Sequence, residues 1–107
     1  MKKDNIVLTG FMGTGKTTVG QLLAQQLDYK FVDTDVLIQE RTGKSIPEIF
    51  EEKGEAAFRE MEAALACELA ARQGIVISTG GRMMLDSANA ATLSSSGRVI
   101  CLVATPE

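Results

Sequence analysis

Apolar residues follow two different periods along this chain, and segments of the two kinds alternate. Mostly apolar runs occupy residues 6–8, 29–32, 75–77 and 99–103. Short continuous runs of this kind, bounded by turn-forming residues, predict strands that are buried on both faces. The pattern therefore predicts four buried strands.

Apolar residues at helical spacing separate the predicted strands. Val19, Leu22, Leu23 and Leu27 form one stripe, which predicts an amphipathic helix that ends at about Leu27. A shorter helix is predicted before the last strand, with Asp86 as its N-terminal cap. These helices connect strands that are consecutive in the sequence.

The middle of the chain predicts three more helices. Residues 36–41 form a short one that Gly43 ends, and a second begins at a capping box made by Ser45 and Glu48. Gly54 is expected to break that helix, because glycine is a poor residue for a helix interior. A longer amphipathic helix then covers residues 55–72.

Strands and helices that alternate in this order predict an α/β fold. Nearly continuous apolar strands favour a parallel sheet with helices on both faces, which is a three-layer sandwich. A length of 107 residues is enough for one domain, so we predict a single domain over residues 1–107.

Composition and charge narrow the classes of partner. The chain is 45% apolar and 23% charged, with a net charge of −3 and no block of basic residues. This balance does not indicate nucleic-acid or anionic-membrane binding, and no apolar run reaches the roughly 18 residues needed to span a bilayer. Because the chain contains no histidine, histidine-based triads and histidine zinc sites are excluded.

The cysteine pattern favours a reducing compartment. Cys67 and Cys101 are far apart in the sequence and form no C-x-x-C pair. We therefore expect reduced, buried thiols in a cytoplasmic protein.

A phosphate-binding loop is the strongest chemical signal in the chain. Residues 10–18 read GFMGTGKTT and fit the pattern G-x-x-x-x-G-K-[ST], between a predicted strand and a predicted helix. Its glycines let backbone N–H groups surround an anion, and the following helix adds its positive N-terminal end. Lys16 would bring charge to the terminal phosphates, and the Thr17 hydroxyl would bind Mg²⁺. The predicted nucleotide-binding residues are Gly13, Thr14, Gly15, Lys16, Thr17 and Thr18.

Two carboxylates follow the second predicted strand. Asp33 and Asp35 are two positions apart, so on an extended strand end both would point toward the edge where α/β sheets bind ligands. The alternative for either residue is a solvated helix cap. Next to a phosphate loop, coordination of Mg²⁺ and general-base catalysis are favoured.

Two further features are candidates for an acceptor site. Arg59 and Glu62 lie on the flank of the long helix, where an exposed salt bridge is an equally good interpretation. Gly80 and Gly81 follow the third strand and would allow the backbone to approach a ligand closely.

These motifs, in this order and spacing, make the chain resemble shikimate kinase. That family comprises small P-loop kinases similar to nucleoside monophosphate kinases, and the resemblance covers residues 6–107, about two thirds of the family's length. The matching pieces are GFMGTGKTT at 10–18, FVDTD at 31–35, IF at 49–50, GE at 54–55, FR at 58–59 with Glu62, and TGG at 79–81.

The resemblance implies an activity and a role for each site residue. The activity is transfer of a phosphoryl group from ATP to shikimate, giving shikimate 3-phosphate in the pathway to aromatic amino acids. Lys16 would serve the ATP phosphates, and Thr17 and Asp33 would hold Mg²⁺. Asp35 would bind the acceptor hydroxyl and take its proton, so the implied catalytic residues are Lys16 and Asp35. Arg59 would bind the substrate carboxylate, and the backbone of Gly80 and Gly81 would bind substrate oxygens.

Two departures from the family pattern leave alternatives open. Arg82 stands where the family has a third glycine, so a kinase for another small acidic polyol is one alternative.

The sequence also lacks the family's arginine-bearing lid and fifth strand. If these residues act alone, we expect phosphate binding with little phosphoryl transfer, and the second alternative is a non-catalytic nucleotide- or phosphate-binding module. We predict a monomer that binds ATP and a carboxylate-bearing polyol, and that binds neither nucleic acid nor membranes.

Overall fold

The computed structural model describes residues 4–10, 16–79, 83, 87–95 and 97–102. Strands and helices alternate through these residues, apart from two consecutive helices in the middle. The strands are β1 (Asn5–Gly10), β2 (Lys30–Asp33), β3 (Ile75–Ser78) and β4 (Gly97–Leu102). The helices are α1 (Lys16–Leu27), α2 (Thr34–Thr42), α3 (Ile46–Ala70) and α4 (Ser87–Ser94).

The four strands form one parallel sheet in the order β2-β3-β1-β4. Strand β1 is central: Ile6 lies opposite Val76 of β3 on one side and opposite Arg98 of β4 on the other. The parallel α/β architecture predicted from the apolar runs is therefore confirmed.

Helices cover both faces of this sheet, as predicted. On one face, α2, α3 and α4 pack over Val7 and Ile77. On the other face, α1 packs over Leu8 and Val76. Since successive residues of a strand point to opposite faces, Val7 and Leu8 belong to different halves of the core.

Gly20 sets how closely α1 approaches the sheet. A Cβ atom at Gly20 would lie 2.4 Å from Cε1 of Phe31 and 3.1 Å from Cδ1 of Leu8. Both distances are shorter than ordinary van der Waals contacts, so a larger residue would force the helix or the Phe31 ring to move.

The predicted helix breaks are confirmed by the backbone. Gly43 has φ 70° at the end of α2, and Gly54 has φ 86° inside α3, where the helix kinks. Both conformations are in the left-handed region that favours glycine. The capping box of Ser45 and Glu48 is also present at the start of α3.

Three predictions about burial are wrong. Leu22 and Leu27 are 54% and 42% exposed, because α1 presents an adjacent stripe to the sheet. Val99 and Ile100 are 39% and 40% exposed, since β4 lies at an edge of the described sheet and not inside it. Cys67 is an exposed free thiol on α3. The side chain of Cys101 and the predicted cap Asp86 lie outside the described residues.

A buried asparagine joins the start of β1 to the start of β3. Asn5 is 0% exposed, and its Nδ2 donates to the carbonyl oxygens of Leu69 at 3.4 Å and Arg72 at 2.8 Å. Its Oδ1 accepts a hydrogen bond from the backbone N–H of Ile75 at 3.2 Å. One side chain thus holds the end of α3 and the first residue of β3 against β1.

We expect Asn5→Ala to lower the free energy of unfolding by roughly 3 kcal/mol. The substitution would leave the N–H of Ile75 buried without this partner, which costs about 1–3 kcal/mol, and would remove the hydrogen bond to the carbonyl oxygen of Arg72, worth about 0.5–1.5 kcal/mol. Urea denaturation measures the change. Thr92→Ala, which removes an exposed hydroxyl bonded within α4, is the control and should change stability little. Equal stability of the Asn5 variant and the unchanged protein would contradict this role.

Candidate functional site

Strands β1, β2 and β3 all end at the same edge of the parallel sheet. The loop between β1 and α1 starts there. Its residues 11–15, which include Gly13, Thr14 and Gly15, lie outside the described part of the chain. The side chains of Lys16 and Thr17, in the first turn of α1, are outside it as well. Thr18 is described, and it is exposed. The nucleotide-binding roles of these residues stay predictions.

Asp33 is the last residue of β2 and the N-cap of α2. Its backbone is extended, at φ −102° and ψ 121°. Its Oδ1 accepts hydrogen bonds from the backbone N–H of Asp35 at 3.0 Å and of Val36 at 3.1 Å. The capping alternative considered for this pair is therefore correct for Asp33.

Asp35 lies in the first turn of α2 and not on the end of the strand. The structure therefore corrects both the helix start predicted at residue 36 and the strand alternation expected to align the two carboxylates. Thr34, between them, is fully buried. Asp35 is half-buried at the carboxyl end of β2, so both carboxylates remain at the edge where the prediction placed them.

Thr79 ties the end of β3 to the central strand. Its backbone N–H donates to the carbonyl oxygen of Leu8 at 3.0 Å, and its Oγ1 donates to the same oxygen at 2.9 Å. Thr79 is 2% exposed. The loop that follows therefore leaves the sheet beside the end of β1. Its residues Gly80, Gly81 and Arg82 lie outside the described part, so their predicted contacts stay untested.

Arg59 lies on α3 and forms an ion pair within that helix. Its Nη2 and Nε donate to Oε1 of Glu55 at 2.7 and 3.2 Å, with the two side chains 57% and 51% exposed. Glu62 differs from the prediction, because it is only 4% exposed and not part of a solvated flank. The sequence signal for its burial was its position one helical turn from Phe58 and Leu65, which are both buried.

A second ion pair joins the two helices that carry Asp35 and Arg59. The guanidinium of Arg41, near the end of α2, donates from Nη1 and Nη2 to the two carboxylate oxygens of Glu68 on α3, at 3.0 and 2.6 Å. Arg72 lies 3.6 Å from the same carboxylate. The hydrogen bond from Arg41 and the charges of both arginines lower the pKa of Glu68. The sequence pattern does not predict this pair, because its members are 27 residues apart.

Comparison with known proteins decides the family. The sequence model of the shikimate kinase family matches residues 12–107. The chain belongs to the shikimate kinase family. Shikimate kinase of Pelotomaculum thermopropionicum is 50% identical over 103 residues, which are 96% of this chain and 60% of that protein. Shikimate kinase of Thiobacillus denitrificans is 50% identical over 106 residues, which are 99% of this chain and 58% of that protein.

Solved structures of shikimate kinases share the fold. Shikimate kinase from Acinetobacter baumannii in complex with shikimate superposes with a TM-score of 0.90 at 43% identity, over 97% of this chain and 57% of that one. The predicted resemblance to the family is thus confirmed. The chain spans about three fifths of the length of the curated shikimate kinases that it matches. Among the described residues, no helix is long and apolar enough to cross a membrane.

We expect Glu68→Gln to lower stability at neutral pH but not in acid. The pKa of Glu68 is lowered from its ordinary value of 4.5 in the folded state. Its contribution is therefore complete above that value and is lost as the pH falls through the lower, folded-state pKa. The change at pH 7 should be small, since the pair is exposed. Thermal unfolding of both proteins across this pH range measures it.

Glu60→Gln is the matched control for this experiment. Glu60 is exposed on the same helix and forms no ion pair with the described residues. A stability difference for Glu68→Gln that stays constant from pH 7 into acid would contradict the linkage.

Proposed function

We propose that the protein containing this chain transfers a phosphoryl group from ATP to a hydroxyl of shikimate, giving shikimate 3-phosphate and ADP. Family membership supports the reaction, and the A. baumannii relative is solved with shikimate bound. The observation that carries the proposal is the arrangement at the carboxyl end of β2, where Asp33 and Asp35 flank the start of α2 beside the phosphate-loop side of the sheet.

The nucleotide half of the site is local in the chain. Residues 13–18 would surround the phosphates of ATP with backbone N–H groups, and the N-terminus of α1 would add its positive dipole end. The ammonium group of Lys16 would neutralise charge on the terminal phosphates as the phosphoryl group moves. The close packing of α1 at Gly20 supports this role, because it brings the helix against Leu8 of β1 and Phe31 of β2.

Asp33 and Thr17 fit a magnesium ion. Oδ1 of Asp33 is occupied by two N–H donors, while its Oδ2 accepts no hydrogen bond from the described residues. A carboxylate oxygen and a hydroxyl suit a hard cation that keeps several of its waters. Asp33, through water, and Thr17 would hold Mg²⁺, which would supply positive charge to neutralise the phosphates of ATP.

Asp35 would act on the acceptor hydroxyl. The hydroxyl oxygen of shikimate attacks the γ-phosphorus of ATP, and the bond between that phosphorus and the β–γ bridging oxygen breaks to release ADP. The hydroxyl proton passes to the carboxylate of Asp35. Asp35 is only half-buried in the first turn of α2, so solvent remains near it to take the proton after transfer.

Arg59 would bind the carboxylate of shikimate. Its guanidinium already makes a two-nitrogen contact to one oxygen of Glu55. A substrate carboxylate could accept the same hydrogen bonds on two oxygens in place of one. Because the Arg59–Glu55 ion pair is exposed, replacing Glu55 by the substrate carboxylate should cost little free energy. The backbone of Gly80 and Gly81 would complete the acceptor site.

A cytoplasmic location and a monomeric state are part of the proposal.

The experiment that tests the function is a turnover assay on the protein at its full natural length. We expect ATP consumption to depend on shikimate and to be much slower with other small hydroxy acids. Asp35→Asn serves as the internal control and should lower kcat by about 100-fold or more, because asparagine cannot accept the proton. Faster turnover with another acid polyol would replace shikimate as the acceptor. Nucleotide binding without turnover would favour a non-catalytic module.

We expect Arg59→Lys to raise KM for shikimate by about tenfold while kcat changes less. Lysine keeps the positive charge but cannot form the planar, bidentate contact to a carboxylate. Arg72→Lys is the matched control, since Arg72 is similarly exposed and lies just beyond the end of α3, beside Glu68. Steady-state kinetics separate the two constants. Unchanged KM in the Arg59 variant would remove Arg59 from the acceptor site.

A further inference from the structure

We propose that Asp33 is a positioning residue for Asp35, in addition to its proposed role at the metal. One oxygen of its carboxylate holds the first turn of α2 in place, and this turn presents Asp35 to the acceptor. The inference rests on the proposed function, because it assigns Asp35 to the acceptor hydroxyl.

The backbone of Asp35 is hydrogen-bonded directly to the side chain of Asp33. The backbone N–H of Asp35 itself is one of the two donors to Oδ1 of Asp33, at 3.0 Å, and that of Val36 is the other, at 3.1 Å. The backbone changes from extended at Asp33 to helical at Thr34. The cap therefore fixes the point at which strand β2 becomes helix α2, and the direction in which residue 35 leaves it.

One side of α2 packs in the core, and the other side is exposed. Thr34 is fully buried and Ile38 is 4% exposed, so one side of α2 is anchored in the core. Val36, on the other side, is 47% exposed. Since α2 has only nine residues, its first turn gains little from the rest of the helix. Loss of the cap should let the first turn fray and should spread the orientations of Asp35.

The two oxygens of Asp33 give the residue two separable roles. Oδ1 is used by the cap, and Oδ2 is available for the metal. Asparagine and serine keep a side-chain acceptor at the N-cap and are about as good there as aspartate, but they carry no charge. Alanine keeps neither the acceptor nor the charge. The metal role can therefore be removed with the cap kept, and the difference between alanine and these two variants isolates the cap.

Shikimate binding without ATP or Mg²⁺ tests the cap alone. Calorimetry on the protein at its full natural length measures the Kd for shikimate. Asp33→Ala should raise this Kd by about fivefold or more, which corresponds to the free energy that a helix usually loses with its cap. Asp33→Ser and Asp33→Asn should stay within about twofold of the unchanged protein. All three variants should have a lower kcat with ATP and Mg²⁺, since all three lose the charge. Ser45→Ala, which removes the cap of α3, controls for a general loss of stability and should bind shikimate normally.

The outcomes separate this inference from the proposed function. If the unchanged protein does not bind shikimate, the proposed function fails, and the positioning role falls with it. If it binds shikimate, an equal loss of shikimate affinity in the alanine, serine and asparagine variants would overturn the cap role. That result would show that the negative charge of Asp33, and not its cap, supports binding. Normal binding by Asp33→Ala would also overturn it. Should Asp33→Ala not fold, Asp33→Gly removes the same acceptor at a smaller cost in stability.

Amide hydrogen exchange gives a readout that needs no ligand. The N–H groups of Asp35 and Val36 should exchange faster in the alanine or glycine variant than in the serine and asparagine variants. Equal exchange rates in all variants would show that the cap does not hold the turn.

Discussion

Strand β1 is hydrogen-bonded along both edges, to β3 on one side and to β4 on the other, and the remaining elements are placed by this double pairing. Parallel strands cannot be joined by tight hairpins, so each connection must cross over a face of the sheet. These crossovers supply α1 on one face and α2, α3 and α4 on the other. The same pairing brings the carboxyl ends of three strands to one edge, and that edge carries the candidate site.

The two halves of the site depend on the fold to different degrees. The proposed phosphate half would use residues 13–18 at the start of α1, which packs closely on the sheet at Gly20. The proposed acceptor half would use residues of β2, α2 and α3 together with Gly80 and Gly81. Its parts are held by contacts between residues distant in sequence, such as Arg41 with Glu68 and Thr79 with Leu8. Disturbing the packing should therefore affect the acceptor half first.

Polar groups are placed in the interior where elements begin and end. Asn5, Thr34 and Thr79 are each at most 2% exposed, and all lie at the boundaries of strands or helices. Among the described residues, every buried side-chain nitrogen and oxygen has a hydrogen-bond partner. Backbone groups at the ends of strands and helices lack partners within their own element, and the side chains of Asn5 and Thr79 bond to backbone groups at such places. They fix the junctions from which the site is built.

The sequence by itself determined the parallel α/β fold, the helix breaks at Gly43 and Gly54 and the family, because apolar period, backbone conformation and motif spacing are local properties. It also located Asp33 and Asp35 at the sheet edge where β2 ends. It could not decide which of the two carboxylates caps α2, or that Leu22 and Val99 are exposed. Those outcomes depend on the exact residue at which β2 becomes a helix, on the rotation of each helix against the sheet and on the position of β4 at its edge. Only the packed tertiary structure sets these quantities.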